Sequence, residues 1–381
     1  VSLTGCSYLS VKSSEKPFSQ RFNTALDQAP RKRQTSLDRL FQPHTFPVCT
    51  GNQCFFFYQG NPDLSISVAG DWNGWKPDRD PMRPIEGTDY YYLVKEFPSD
   101  ARLDYKIVVN GEWLLDPRNP RTCPGAVGKN SVLAMPNYVE PEELQPHADI
   151  RRGTIEVMNF ESAILAGTRR VAVYMPPGYG RRYGPHPFLI VLDGSDYEQK
   201  ARMADIVDVL VADGKIRRPV IVFVDPENRK QDYGESDEYL QFIIEEIIPY
   251  LRAHYDVEKT REECGILGAS LGGYAAFRAA WRYPGTIGKM AGQSCYFGEN
   301  DESIETVKTA PPKPIQFYFD VGTFETNQRV NLLEQNRKMR SALESNGYSV
   351  TYGEYNEGHS WGSWRAHIDT ILIAFWPRVP A

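Results

Sequence analysis

CGILGASLGG, residues 264–273, is an apolar segment that leads directly into a glycine-rich turn around a serine. Residues 273–280 then favour a helix, which Pro284 ends because proline cannot occupy a helix interior. Ser270 is the centre of a G-x-S-x-G pattern, which holds a serine hydroxyl on a sharp turn beside the backbone N–H groups of a helix N-terminus. The pattern predicts a nucleophilic serine at position 270. The alternative is a purely structural glycine-rich turn.

Strands and helices alternate around this stretch. Continuous apolar runs predict buried strands at residues 170–175, 188–192, 220–224 and 315–319. Helical periodicity is found at residues 203–213 and 237–254. Apolar strands separated by helices form a parallel sheet that is covered on both faces. We therefore predict an α/β domain over residues 151–381.

A serine nucleophile needs a general base, and the base needs a carboxylate that orients it. The strand–turn–helix pattern resembles the nucleophile elbow of α/β-hydrolases, in which the chain order is serine, acid, histidine. Of the six histidines, only His359 and His367 follow Ser270. His359 lies in a loop after a predicted strand at residues 350–355, whereas His367 lies in an apolar helical pattern. We therefore predict His359 as the base.

The acid is expected just past the strand at residues 315–319. The candidates are Asp320, which continues the strand, and Glu325, which lies in the loop beyond it. We favour Glu325 because a loop carboxylate can bend toward His359, and Asp320 is the alternative. The oxyanion hole is expected to use the N–H of Leu271 and one more N–H after the strand at residues 188–192. Gly194 and Ser195 are the candidates for this second donor.

A smaller β-rich region precedes the α/β domain. Period-two alternation at residues 64–69 and an Asn110-Gly111 turn predict short antiparallel strands. We predict a small immunoglobulin-like β-sandwich over residues 49–136. A linker rich in proline and acidic residues follows at 137–150, and residues 1–48 form a tail and arm before the sandwich.

The β-rich region carries a resemblance of its own. Gly70-Asp71-Trp72-Asn73-Gly74-Trp75, with later Lys, Trp and Asn positions, resembles the glycogen-binding domain of AMP-activated protein kinase and the N-terminal domains of isoamylase-like enzymes. The resemblance implies a glycan site at Trp75, Lys106, Trp113 and Asn130, because Trp faces stack on sugar rings while Lys and Asn bond their hydroxyls. The alternative is that these side chains pack against the neighbouring domain.

The α/β domain resembles the esterase D superfamily, and within it the enterochelin (ferric-siderophore) esterases. The resemblance rests on residues 192–194, 228–229, 232–233, 268–273, 322–325 and 358–361. It implies an ester hydrolase that works through an acyl-enzyme, with no cofactor and commonly with Glu as the acid. Asp232 departs from the Glu usual in siderophore esterases, which weakens the substrate assignment. Arg229 is a candidate anchor for an acidic ligand, or the partner of Asp232 or Glu235 in an ion pair. Further candidate substrate contacts are Asp232, Tyr197 and Trp361.

Three functions are compatible with these patterns. The first is hydrolysis of the lactone esters of a siderophore. The second is removal of feruloyl or acetyl groups from a polysaccharide, an activity found in the same superfamily. The third is a non-catalytic glycan-binding surface protein, which the combination of Ser270, Glu325 and His359 disfavours. The expected partner is a small-molecule or glycan ester.

Composition excludes other classes of protein. The 381 residues are 41% hydrophobic and 24% charged, which suits a globular chain with a substantial core. The net charge is −6 and the basic residues are dispersed, which argues against nucleic-acid binding. No run of 18 apolar residues predicts a membrane-spanning helix, and no His/Cys cluster has zinc-site spacing.

Cysteine positions indicate an exported protein. Leu3-Thr4-Gly5-Cys6 resembles the lipobox of bacterial lipoproteins and implies lipidation of Cys6, although four residues can match by chance. Lipidation would make Cys6 the only attachment to a membrane and would place the protein in the periplasm or at the outer membrane of a bacterium. Cys49 and Cys54 flank a turn-like segment that can close a small disulfide loop in an oxidising compartment.

Overall fold

The computed structural model describes residues 16–180, 183–327 and 329–378. The N-terminal part consists of two helices followed by nine short strands. The helices are α1 (Phe18–Leu26) and α2 (Pro30–Phe41). The strands are β1 (Val48–Thr50), β2 (Gln53–Gln59), β3 (Ile66–Gly70), β4 (Arg83–Pro84), β5 (Tyr90–Glu96), β6 (Arg102–Val109), β7 (Glu112–Leu114), β8 (Thr122–Pro124) and β9 (Lys129–Ala134).

These strands form the predicted β-sandwich. One antiparallel sheet has the order β1-β2-β5-β4, and the other has the order β3-β6-β9-β8 with β7 paired to β6. Phe56, Val68, Leu103 and Tyr105 are among the apolar side chains buried between the two sheets. A disulfide joins Cys49 to Cys54 where β1 meets β2.

The arm before the sandwich is packed, not free, over its described part. Phe22 of α1 and Phe41 of α2 are buried against Phe55 and Phe57 of β2. Successive residues of a strand point to opposite faces, so Phe56 enters the sandwich core while its two neighbours meet the helices. This explains why the Phe55–Phe57 stretch is apolar without alternation. Each fully buried Phe contributes about 1.5–3 kcal/mol.

The C-terminal part contains eight strands and nine helices among the described residues. The strands are β10 (Thr154–Ser162), β11 (Gly167–Met175), β12 (Phe188–Leu192), β13 (Val220–Val224), β14 (Cys264–Ala269), β15 (Lys289–Gln293), β16 (Gln316–Gly322) and β17 (Val350–Tyr355). The helices are α3 (Gly194–Gln199), α4 (Met203–Ala212), α5 (Glu238–Gln241), α6 (Ile248–His254), α7 (Leu271–Arg282), α8 (Glu302–Thr309), α9 (Leu332–Ser345), α10 (Trp361–Arg365) and α11 (Ile368–Phe375).

The eight strands form one sheet in the order β10-β11-β13-β12-β14-β15-β16-β17. β10 and β11 are antiparallel to their neighbours, and the remaining strands run parallel. Apolar clusters cover both faces of the sheet, which is why β12, β13 and β14 read as continuous apolar runs. The predicted fold class, an α/β domain preceded by a β-sandwich, is confirmed.

The predicted helix at residues 237–254 differs in detail. α5 passes into a π-helical turn at Phe242–Ile247 before α6 begins. Pro249 lies at the start of α6 and has no N–H to donate to the preceding turn, so a wider turn costs little there. Within the part of the chain that the structure describes, no helix is both long enough and apolar enough to cross a membrane.

Candidate active site

Ser270 occupies the tight turn between β14 and α7. Its backbone has φ 56° and ψ −119°, a conformation that is rare for a residue with a side chain and is typical of strained functional turns. Its N–H donates to the carbonyl of Gln293 at 2.9 Å, which ties the turn to β15. A side chain at Gly268 would overlap the backbone of Gly272, so the turn closes this tightly only with glycine there. The turn presents the Ser270 hydroxyl beyond the end of β14.

His359 and Glu325 are hydrogen-bonded to each other. The distance from His359 Nδ1 to Glu325 Oε2 is 2.6 Å, and Glu325 is fully buried. The other carboxylate oxygen accepts from the N–H of Gly322 at 2.8 Å and from Ser294 Oγ at 2.6 Å. Trp364 Nε1 in turn donates to Ser294 Oγ at 2.9 Å. With Nδ1 engaged by the carboxylate, the imidazole is oriented with Nε2 as its remaining basic nitrogen.

Asp320, the alternative acid, belongs to a different network. It accepts hydrogen bonds from Gln293 Nε2 at 3.0 Å and Tyr318 OH at 3.1 Å. Burial raises the pKa of Asp320 to about 7. The structure therefore places Glu325, and not Asp320, against the imidazole of His359.

Ser270 and His359 line the same cavity, which has a volume of about 630 Å³. Among the described residues, no hydrogen bond links the Ser270 hydroxyl to the His359 ring. Hydrogen bonds between a nucleophile and its base are often long in the absence of substrate and tighten in the reacting complex. The shared cavity puts both groups within reach of one ligand.

Two helix N-termini supply candidate oxyanion donors. Leu271 is the first residue of α7 and Gly194 is the first residue of α3, so neither N–H has an acceptor within its own helix. The N–H of Ser195 instead donates to Asp225 Oδ1 at 2.6 Å, and its hydroxyl also bonds that carboxylate. Ser195 is therefore removed from the predicted oxyanion hole, because its donor is already engaged. Leu271 and Gly194 remain.

Arg229 lies at the cavity wall, but its partner differs from the prediction. The guanidinium donates to both oxygens of Asp193, with Nε 2.9 Å from Oδ1 and Nη2 3.0 Å from Oδ2. Nη2 also donates to the carbonyl of Ala269 at 3.1 Å. Burial raises the pKa of the Asp193 carboxyl, and the charge of Arg229 opposes that rise. The predicted partner Asp232 is therefore corrected to Asp193, and the side chain of Glu235, the other predicted partner, lies outside the described part of the structure.

Two predicted substrate contacts are corrected because they are buried. The carboxylate of Asp232 accepts from the N–H groups of Glu227 and Asn228, at 2.8 and 3.3 Å, and so stabilises its own loop. Tyr197 has no exposed surface and donates from its hydroxyl to Gln293 Oε1 at 2.9 Å. Its ring packs edge-on against Trp361, which does line the cavity. Tyr197 thus supports a cavity residue and does not reach the cavity itself.

The β-sandwich forms the opposite wall of this cavity. Trp75, Lys106, Trp113 and Asn130 all line it together with Ser270 and His359. The two Trp rings are stacked, with centroids 6.4 Å apart and planes inclined by 25°. The four residues are not buried as a group against the hydrolase domain, and the glycan site that the resemblance implies stays a prediction. They belong to the candidate active site.

Sequence patterns did not identify several residues that line the cavity, because folding brings them to it from distant parts of the chain. They are Gly125, Ala126, Val127, Asp193, Asp196, Lys200, Ser360 and Trp364. Lys200 Nζ is 2.9 Å from Asp196 Oδ2, and Arg229 is paired with Asp193. Lys106 has no carboxylate partner within the described residues, so it leaves the cavity with an excess positive charge. Within the same residues, no group of three or more His, Cys, Asp or Glu side chains could hold a metal ion.

A parallel sheet with a serine on the turn after a central strand, and a His–Glu pair at neighbouring strand ends, defines an α/β-hydrolase. The family model described as "Putative esterase" matches residues 162–375. The chain belongs to this esterase family and is a carboxylic ester hydrolase, as predicted.

Three known proteins are similar to this chain in sequence or in fold. YjcH of Bacillus subtilis is 27% identical over 236 residues, which are 58% of this chain and 97% of YjcH. Ferric enterobactin esterase from Salmonella typhimurium has a TM-score of 0.74 at 18% identity, over 87% of this chain and 96% of that chain. A ferulic acid esterase from the fungus Anaeromyces mucronatus has a TM-score of 0.52 at 20% identity, over 61% of this chain and 94% of that chain. The expected likeness in fold to enterochelin esterases is confirmed.

Proposed function

We propose that the chain hydrolyses carboxylic esters through a triad of Ser270, His359 and Glu325. The observation that carries the proposal is the buried 2.6 Å hydrogen bond between Glu325 and His359, on the same cavity as a serine held at positive φ. A serine–base–carboxylate set of this kind activates the serine for covalent catalysis.

The reaction follows from this arrangement. Ser270 Oγ attacks the ester carbon while His359 Nε2 takes the hydroxyl proton, and Glu325 stabilises the resulting imidazolium. The carbonyl oxygen becomes an oxyanion that the N–H groups of Leu271 and Gly194 stabilise. His359 then returns the proton to the leaving alcohol. Water then attacks the acyl-Ser270 ester while His359 Nε2 takes a proton from the water. The proton returns to Ser270 Oγ as the acid is released.

For the substrate, we propose an ester that carries aromatic and anionic groups, as a catecholate siderophore does. The cavity offers the indole rings of Trp75, Trp113 and Trp361 together with Lys106, which has no carboxylate partner among the residues that the structure describes. The likeness to the ferric enterobactin esterase from Salmonella typhimurium extends over 87% of this chain, which is more than the hydrolase domain alone. The sandwich supplies one wall of the cavity, so a substrate large enough to reach both walls suits this chain.

The second candidate is a feruloyl or acetyl ester of a polysaccharide. Stacked Trp rings with a Lys and an Asn also suit a sugar, as the resemblance to glycogen-binding domains implies. The fungal ferulic acid esterase covers only 61% of this chain, which makes it a weaker guide to a cavity with two walls. A non-catalytic glycan-binding role is disfavoured by the Glu325–His359 hydrogen bond and by the position of Ser270 on the same cavity.

The test compares the purified chain with its Ser270→Ala variant by chromatography of the products. The substrates are a catecholate trilactone with and without iron, a feruloylated xylo-oligosaccharide and acetylated xylan. Ser270-dependent opening of the trilactone, with the xylan esters untouched, is the expected result. Release of ferulate or acetate without trilactone opening would select the second candidate. Equal hydrolysis by wild type and variant would overturn the triad.

We also propose that the protein is exported and anchored through Cys6. Cys6 lies outside the described residues, so this remains a prediction from the lipobox-like sequence. The Cys49–Cys54 disulfide supports it, because such bonds persist in oxidising compartments. Mass spectrometry of the protein from membranes of its native host would detect a diacylglyceryl group on Cys6; an unmodified Cys6 would overturn the proposal.

A further inference from the structure

The loop that carries His359 is held by the β-sandwich as well as by its own domain. The backbone N–H of Arg102, at the start of β6, donates to the carbonyl of Asn356 at 3.0 Å. The Arg102 side chain reaches further along the loop, where Nη1 donates to Ser360 Oγ at 3.1 Å. One residue of the sandwich thus bonds the loop on both sides of His359.

Arg102 is itself fixed by a buried ion pair. Its Nη1 lies 2.7 Å from Asp104 Oδ1, and the two side chains are 3% and 0% exposed. Burial alone would lower the pKa of the Arg102 guanidinium, but the charge of Asp104 raises it above its ordinary value. The guanidinium therefore stays charged at neutral pH.

Glycines of the loop make room for these sandwich side chains. A methyl group at Gly362 would overlap the Arg102 guanidinium, and one at Gly358 would overlap the carboxyl group of Asp71. Asp71 also accepts the N–H of Asp104 at 2.7 Å, so both contacts belong to one buried cluster. Two buried ionisable side chains of the sandwich, Arg102 and Asp71, therefore contact residues 358, 360 and 362, immediately around His359.

The same cluster bonds the cavity wall of the sandwich. Asn130 Nδ2 donates to Asp104 Oδ2 at 3.1 Å, and Trp75 Nε1 donates to Asp71 Oδ1 at 3.1 Å. Asn130 and Trp75 line the cavity. The recognition wall and the His359 loop are thus joined through a few buried hydrogen bonds.

We propose that Arg102, held by Asp104, is a positioning residue that fixes the His359 loop for catalysis, which makes the sandwich part of the catalytic machinery. The proposal rests on the proposed function of His359 as the base. It concerns the geometry of the imidazole and not contact with substrate. A displacement of about 1 Å in a catalytic group can cost about 100-fold in rate.

The first test is the double variant Arg102→Met/Asp104→Asn in the full chain. It removes both buried charges together and so avoids the large cost of one unpaired buried ion. With p-nitrophenyl acetate, which is too small to need the sandwich wall, kcat is expected to fall about 100-fold while KM stays within about threefold. The rate at which a fluorophosphonate labels Ser270 is expected to fall in the same proportion.

Two further variants keep the test decisive. Gly362→Ala retains both charges but displaces the guanidinium, and a fall in kcat of about tenfold is expected. Arg79→Met is the matched control, because Arg79 Nη1 bonds Asn327 Oδ1 across the two domains at 3.4 Å, away from the His359 loop. It should leave both rates unchanged.

The outcomes separate the two claims. Wild-type kcat and labelling rate in a folded double variant, or in Gly362→Ala if the double variant does not fold, would overturn the positioning role. Full activity in Ser270→Ala would instead overturn the proposed function. An equally large fall in kcat in Arg79→Met and in the double variant would also count against Arg102. Any weakening of the contact between the domains would then be enough to lower the rate.

Discussion

The two walls of the cavity differ in how firmly their side chains are held. On the hydrolase wall, Glu325 is fully buried and each of its oxygens is bonded. On the sandwich wall, Trp113 is 43% exposed, Val127 is 86% exposed, and Lys106 has no carboxylate partner in the described chain. Groups that perform chemistry need fixed geometry, whereas groups that recognise a ligand can complete their contacts on binding. The walls thus separate reaction from recognition.

Substitution of Glu325 and of Asp320 is expected to give the largest difference in kcat, and it tests which carboxylate is the acid of the triad. Glu325→Gln is expected to lower kcat about 10⁴-fold, because an amide cannot hold the imidazole in the required tautomer or stabilise its charge. Asp320→Asn, also fully buried on the same strand end, is the matched control and should stay within about threefold, because it lies outside the His359 network. Steady-state hydrolysis of p-nitrophenyl acetate measures both. The reverse order would make Asp320 the acid.

Asp320 is expected to affect the pH dependence of the free energy of unfolding instead. Its pKa is raised from 3.8 to about 7, so the folded state binds its proton more tightly than the unfolded state does. The free energy of unfolding therefore decreases as the pH rises through this window and levels off above it. Between about pH 5 and about pH 8, wild type should lose about 2 kcal/mol more than Asp320→Asn, measured by urea unfolding. Equal losses would show that Asp320 does not titrate between about pH 5 and about pH 8 in the folded protein.

Trp113 sharpens the comparison from the other wall. Trp113→Ala removes one ring of the stacked pair and should raise KM for a large aromatic ester about tenfold, since such contacts are worth about 1 kcal/mol or more. The same variant should hydrolyse p-nitrophenyl acetate at the wild-type rate, because that ester is too small to require the second wall. A fall in kcat for the small ester would show that the sandwich ring affects the chemistry.

The smallest effect is expected at the lysines. Lys106→Met should weaken binding of an anionic ester about threefold to tenfold, and added salt should reduce the difference. Lys200→Met is the matched control, because Lys200 is already paired with Asp196 at 2.9 Å. Measurement of KM at low and high salt for both variants decides between them. Equal effects on KM would mean that binding of the anionic ester depends only on the total charge of the cavity and not on the position of Lys106.

Local patterns allowed much of this to be predicted. Ser270 could be found because its turn has a fixed glycine spacing, and His359 because chain order leaves few histidines. Glu325 followed from its place in the loop after β16. These inferences need only a short stretch of chain and the order of the elements.

Pairings between distant residues could not be predicted in the same way. Arg229 was matched with acidic residues nearby in sequence, but the fold brings Asp193 to it from 36 positions away. Ser195 was retained as a donor because nothing in the sequence shows that Asp225 occupies its N–H. Arg102 and Asp71 of the sandwich contact the His359 loop, and these contacts form only when the two domains are assembled, so no local pattern predicts them.

The most direct test of the central claim is mass spectrometry of the acyl-enzyme. The full chain is mixed with p-nitrophenyl acetate, quenched in acid during the first turnovers and digested with protease. The account predicts one acetyl group, on the peptide that contains Ser270, and far less of it in His359→Gln, where Ser270 lacks the base that takes its proton. Acetylation at another residue, or none on Ser270 during active hydrolysis, would contradict the account.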